Sequence, residues 1–249
     1  MELAEKHPGQ YDGAYVLSAN AGGTHHQVNH FFTVRALFDY FYPGVLPGDA
    51  LSIPEGTNIL NEIYIPAFLA MSANPGPGFD LASVEQAELQ ITNLTELLNA
   101  LPLNLVLHAF FQYDFALRFH DHGYFDNLNT WYSGSSDDDA LNAGVDRFGP
   151  ASPSALNYMD HHYLPTGALQ IPMVTLHNPR DPLIPISHEE LYAAAVSSAG
   201  ASDMLVQQTV DRFGHNTFTP AEVFAGFFGL VNWVENGVVP PSGDVTIGP

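Results

Sequence analysis

Two ionisable residues stand out by where they fall in the chain. Asp181 follows the apolar run 173–176 in the turn His-Asn-Pro-Arg-Asp-Pro, and His215 follows the run 204–210 in the turn Arg-Phe-Gly-His-Asn. Both runs have the length and β-branched content of short strands. A carboxylate beside an imidazole is a unit for moving protons, because the imidazole changes charge near neutral pH. Such a unit needs elements that bring its two members together. Residues 187–200 supply one, with Leu191, Tyr192, Ala195 and Val196 at helical spacing and Gly200 as a stop. Strand, helix and strand in so few residues predict two parallel strands joined by a crossover. Asp181 and His215 are then neighbours at the carboxyl edge of one sheet, where open α/β sheets hold their chemistry.

This stretch resembles the carboxyl-terminal half of an α/β-hydrolase, in which the acid follows one late strand and the histidine follows the last. Asp-Pro-Leu-Ile-Pro at 181–185 and Arg-Phe-Gly-His at 212–215 match the family at both corners. The order Asp then His agrees with the family order Ser, Asp/Glu, His. The opening Leu-Ala-Glu-Lys-His-Pro-Gly-Gln-Tyr-Asp-Gly-Ala is similar to the end of the helix after the nucleophile elbow, and to the entry into the next strand. The resemblance runs to about residue 237, with a divergent middle. It implies a lid-containing serine esterase or amidase, in which His215 takes the serine proton and Asp181 fixes the imidazole tautomer.

The chain departs from the family at the nucleophile: no G-x-S-x-G occurs in it, and the central strands that precede the elbow, with the usual oxyanion donors, are not found either. The nucleophile is therefore unknown. Ser18 and Thr24 lie near a strand end, but neither sits in an elbow-like sequence. Two functions follow. The first is a carboxylic-ester or amide hydrolase whose serine comes from a missing N-terminal half or a partner. The second is a non-catalytic or weakly active binding or assembly module derived from such an enzyme.

The expected architecture is α/β: a partial α/β-hydrolase sheet of about three parallel strands carrying a large, mainly helical lid insertion. Residues 1–30 and 164–239 form the core, 31–163 the lid and 240–249 a poorly ordered tail. Residues 14–17 form the first strand, and the turn after it places Asn20 beside the site. Within the lid, helices are expected at 58–71, 83–101 and 103–119, with a breaker run at 74–78 between the first two. Phe111, Phe115 and Tyr124 are candidates for an acyl or aryl pocket as well as for lid core. The final helix, from residue 220 to 234, is expected to pack Val223, Phe224, Phe227, Phe228, Val231 and Trp233 on the sheet.

Other histidines gather in clusters: Thr24-His-His with His30, His120-Asp-His122, and Asp160-His161-His162. His120, His122, His161 and His162 are weak metal candidates, and capping or hydrogen bonding at the lid's exits is the favoured reading for them. No metal or other cofactor is expected. The Asp137-Asp-Asp run reads as a solvated helix start.

Composition narrows the partners. With 27 acidic residues against 6 basic ones, the formal net charge is −21. Nucleic acid and anionic membranes are therefore unexpected, and a small ester or amide is the expected substrate. Cysteine is absent, which excludes disulfides and thiolate sites in this sequence. The first residues do not read as a signal peptide, although similar full-length proteins are often secreted bacterial enzymes. An open sheet edge at residues 14–17 predicts a homo-oligomer.

Overall fold

The computed structural model describes residues 1–119 and 123–248, with Tyr163 described by its backbone alone. In chain order the elements are α1 (Glu2–Lys6), β1 (Ala14–Leu17), α2 (Thr24–Phe41), α3 (Ile65–Ala73), α4 (Gly76–Ser83), α5 (Leu94–Arg118), α6 (Asp138–Gly144), α7 (Pro153–Tyr163), β2 (Met173–His177), α8 (Ser187–Ser198), β3 (Leu205–Thr209), α9 (Pro220–Asn236) and β4 (Gly243–Asp244). They form two compact units. One comprises Met1–Thr24 with His161–Pro249, the other His25–Asp160. The inserted unit thus begins earlier and ends slightly earlier than the expected 31–163.

The first unit is an α/β layer. Its sheet has the order β1-β2-β3-β4, all parallel. Met173 pairs with Ala14 on one side and Leu205 on the other, and His177 pairs with Thr209. β2 is central and buried at every position, as strands covered on both faces are. The expected three strands become four. Gly243–Asp244 of the presumed tail pairs with Gln208–Thr209, so the tail is sheet edge, not loose chain.

That tail is held by a buried acid. Glu222 in the first turn of α9 accepts Arg212 Nη1 and Nη2 at 2.6 and 2.8 Å, and the Ile247 amide at 2.9 Å. It also completes a capping box with Thr219. Arg212 beside it holds the carboxyl down at about 2, against the opposing push of burial, with the Thr219 and Ile247 amides assisting.

α9 faces the sheet differently from the expectation. Its buried stripe is Glu222, Gly226, Leu230 and Trp233, spaced along one helical face. A Cβ at 226 would collide with the Tyr15 hydroxyl, so the glycine lets helix and β1 approach closely. Phe224, Phe227 and Phe228 fall off that stripe and are exposed. Apolar type alone did not assign the face, because this helix is apolar nearly all round.

The second unit is a helical bundle around Phe31, Phe32, Phe38, Leu97, Leu101 and Tyr124. Residues 59–64 form a π-helical turn leading into α3, and α4 begins inside the glycine–proline run expected to be a break. The helix expected at 83–101 is not formed over its first half. Val84 is extended, Glu88 and Gln90 take left-handed backbone angles, and α5 starts only after Asn93. Asn93 Oδ1 accepts the Glu96 amide, an N-cap that the Asn-Leu-Thr-Glu spacing already carries. α5 then runs straight through Pro102. The ring removes one backbone hydrogen bond, but Leu97, Leu101, Leu105 and Ala109 bury a continuous face on both sides of it. Asp137 caps α6 through the Ala140 amide, as the acidic run suggested.

Candidate active site

Asp181 and His215 come from the turns that follow the adjacent parallel strands β2 and β3. The Asp181 side chain is fully buried, and its two oxygens are divided between two tasks. Oδ1 accepts the amides of Leu183 and Ile184 at 2.9 and 3.0 Å, which locks the carboxylate against its own turn. Oδ2 is left to meet His215 Nδ1 at 2.7 Å. The imidazole therefore donates from Nδ1 and presents Nε2 as an acceptor. That atom receives Asn216 Nδ2 at 2.8 Å, from a residue held at φ +56°. About a third of the His215 side chain is exposed.

The two turns are braced together by a residue that sequence reasoning passed over. Asn178 donates from Nδ2 to the Val210 carbonyl and accepts the Thr217 amide at Oδ1, both at 3.0 Å. The Gly214 amide donates to the Arg180 carbonyl, and Arg180 and Phe213 form a parallel bridge. Gly214 itself has φ +112°, and a Cβ there would press on Thr217. Local sequence thus places the acid and the base, but a non-local asparagine fixes their separation.

Beneath the pair lies a second buried imidazole. His177, the last residue of β2, donates from Nε2 to the Ile184 carbonyl at 2.8 Å and faces Glu189 Oε1 from Nδ1 at 3.1 Å. Its Nε2 is also 3.8 Å from Asp181 Oδ2. Glu189 Oε2 accepts Thr175 Oγ1 and Gln207 Nε2 at 2.7 and 2.6 Å. Burial presses the His177 pKa down. The hydrogen bond and charge of Glu189, with the Ile184 carbonyl and Asp181, outweigh that and raise it above the ordinary histidine value. No local sequence signal marks His177 or Glu189, since each reads as an ordinary strand end or helix face.

No protein-family model, curated protein or solved structure matches the chain. The site therefore rests on its own geometry.

At the same sheet edge, Ser18 directly follows β1 with φ +40°, is buried, and has no hydrogen-bond partner for Oγ among the described residues. Asn20 follows in the same turn with a buried Oδ1 that likewise has none there. Gly22, two residues on, donates its amide to His188 Nδ1 at 2.8 Å.

The aromatic candidates lie in the core of the helical unit, the packing role of the two open to them. Phe111 stacks on Phe31 at 5.3 Å, Phe115 packs on Tyr124 at 5.3 Å, and Phe115 and Tyr124 are buried. All three belong to the core of the helical unit, because a bundle of short helices needs large rings to fill its centre. A cavity of about 680 Å³ in that unit is lined instead by residues such as Ile53, Pro54, Ile59, Phe110, Gln112 and Tyr113.

Of the metal candidates, His120 and His122 lie outside the described residues. His161 and His162 are exposed on α7 with their rings 5.2 Å apart. His30 is buried against Asn104 at 3.0 Å, and His26 lies 3.9 Å from Glu88. Among the described residues no three His, Asp or Glu side chains gather as a metal site.

Proposed function

We propose that this chain acts in acyl transfer, as the acid–histidine part of a carboxylic-ester or amide hydrolase of the α/β-hydrolase kind. The observation that carries the reading is the 2.7 Å contact between Asp181 Oδ2 and His215 Nδ1, at the carboxyl ends of neighbouring parallel strands. His215 Nε2 takes a proton from a hydroxyl nucleophile as that oxygen attacks the carbonyl carbon, then returns it to the leaving group. Asp181 holds the tautomer that leaves Nε2 basic and stabilises the imidazolium as it forms. The nucleophile is water or a serine hydroxyl from another polypeptide segment, since no G-x-S-x-G is present.

A second reading, a binding or assembly module without catalysis, has one observation in its favour. Asn216 Nδ2 occupies the same His215 Nε2 that has to accept the proton. Hydrolysis of p-nitrophenyl acetate by the wild type, His215→Ala and Asp181→Asn separates the two. The hydrolase reading expects turnover proportional to protein concentration, reduced about 100-fold or more in His215→Ala. Equal rates in wild type and His215→Ala would leave only the binding module.

A further inference from the structure

Glu189, His177, Asp181 and His215 form one line of alternating acids and imidazoles, running from α8 through the end of β2 to the turn after β3. Three of the four side chains are buried. His177 is the unusual member, because both ring nitrogens face groups that accept. The Ile184 carbonyl takes one N–H, and the Glu189 carboxylate lies at the other nitrogen. A carbonyl has no proton to give, and the far oxygen of Glu189 already accepts two donors. The arrangement is satisfied when His177 carries both protons and Glu189 carries none.

We propose that His177 is a positioning residue for the acid–histidine pair: a buried imidazolium, made by Glu189, that shares the Asp181 carboxylate with His215. Two imidazoles then compete for one carboxylate. With a cation already on the inner side of Asp181, a second cation on its outer side is less well compensated. This rests on the hydrolase reading only for its catalytic consequence; the charge state of His177 does not depend on it.

The groups facing each member are few. His177 meets Glu189 from α8 and Asp181 from its own turn, with Thr175 and Gln207 as neutral donors to Glu189 from β2 and β3. His215 meets Asp181 and the neutral Asn216 amide. The nearby cations are engaged elsewhere: Arg180 lies over the Phe213 ring and Arg212 is paired with Glu222.

Glu189→Gln is the informative variant, because it keeps the shape and the hydrogen bonds while removing the charge. The new amide oxygen accepts Thr175 and Gln207, and its NH2 donates to His177 Nδ1, which then has to be neutral. Nitrogen-15 NMR of the histidine rings in the full chain reads both states. In the wild type, at a pH just above the ordinary histidine value, His177 is expected to carry protons on both nitrogens, and in Glu189→Gln on Nε2 alone. The half-maximal point of p-nitrophenyl acetate turnover against pH is expected to move up by about one pH unit in the variant, with the high-pH plateau retained. A merely structural role would lower the plateau or the melting temperature and leave the midpoint in place. A singly protonated His177 in the wild type overturns the proposal, and so does an unmoved turnover midpoint in Glu189→Gln. If the chain hydrolyses no ester at all, the hydrolase reading fails while the two NMR measurements still decide the inference.

Discussion

Asn216 closes the outer side of His215: its Nδ2 sits 2.8 Å from Nε2, on the ring nitrogen opposite the one that meets Asp181. The histidine is thus held from both ends, and the second hold competes with any substrate proton. Asn216→Gly removes the amide while keeping a residue that tolerates φ +56°. If His215 is a working base, p-nitrophenyl acetate turnover should rise several-fold, since breaking one hydrogen bond to Nε2 costs about 1 kcal/mol. A fall to the His215→Ala rate would mean that Asn216 orients the ring and does not block it.

Ser18 holds a left-handed backbone angle at the carboxyl end of β1. For a residue with a Cβ this stores about 1 kcal/mol or more of strain. Ser18→Gly should raise the melting temperature by about 2–4 °C, whereas Ser18→Ala keeps the strained backbone and should not. A glycine variant that melts no higher would show that the turn relieves the strain by other means.

Glu222 makes a prediction about acid. Its folded pKa of about 2 lies below the ordinary 4.5, chiefly through Arg212. A depressed carboxyl contributes stability that is complete above the unfolded value and is lost as the pH falls from about 4.5 towards 2. Urea midpoints of the wild type and Glu222→Gln should therefore differ most near neutrality and converge below pH 3. A constant difference across that range would place the effect in packing and not in charge.

β1 ends the sheet, with no strand beyond it among the described residues. Leu17 and the α9 residues Phe224, Phe227 and Phe228 are exposed. A second copy of the chain can cover an open edge through a two-fold contact. The net charge of −21 opposes that contact, so association should grow with salt as repulsion is screened. Light scattering at rising protein concentration in low and high salt measures this; a strict monomer in both ends the idea.

Much of the α/β unit was legible in the sequence because its signals are local. Two β-branched runs, each closed by a turn with an ionisable residue, and a helix period between them sufficed to put Asp181 beside His215. Gly214 is of the same kind, fixed by its own backbone. Tertiary structure decided the rest. The fourth strand exists because Glu222 and Arg212 hold Ile247, through contacts across 25 and 35 residues. α5 crosses Pro102 because its buried face outweighs one missing hydrogen bond, and Phe111, Phe115 and Tyr124 fill a core whose shape depends on several helices. The buried His177–Glu189 pair and the Asn178 brace join residues whose types say nothing until strand register brings them within hydrogen-bond reach. Sequence settles what the backbone does over a few residues; which polar groups are taken out of water together is settled only when distant elements pack.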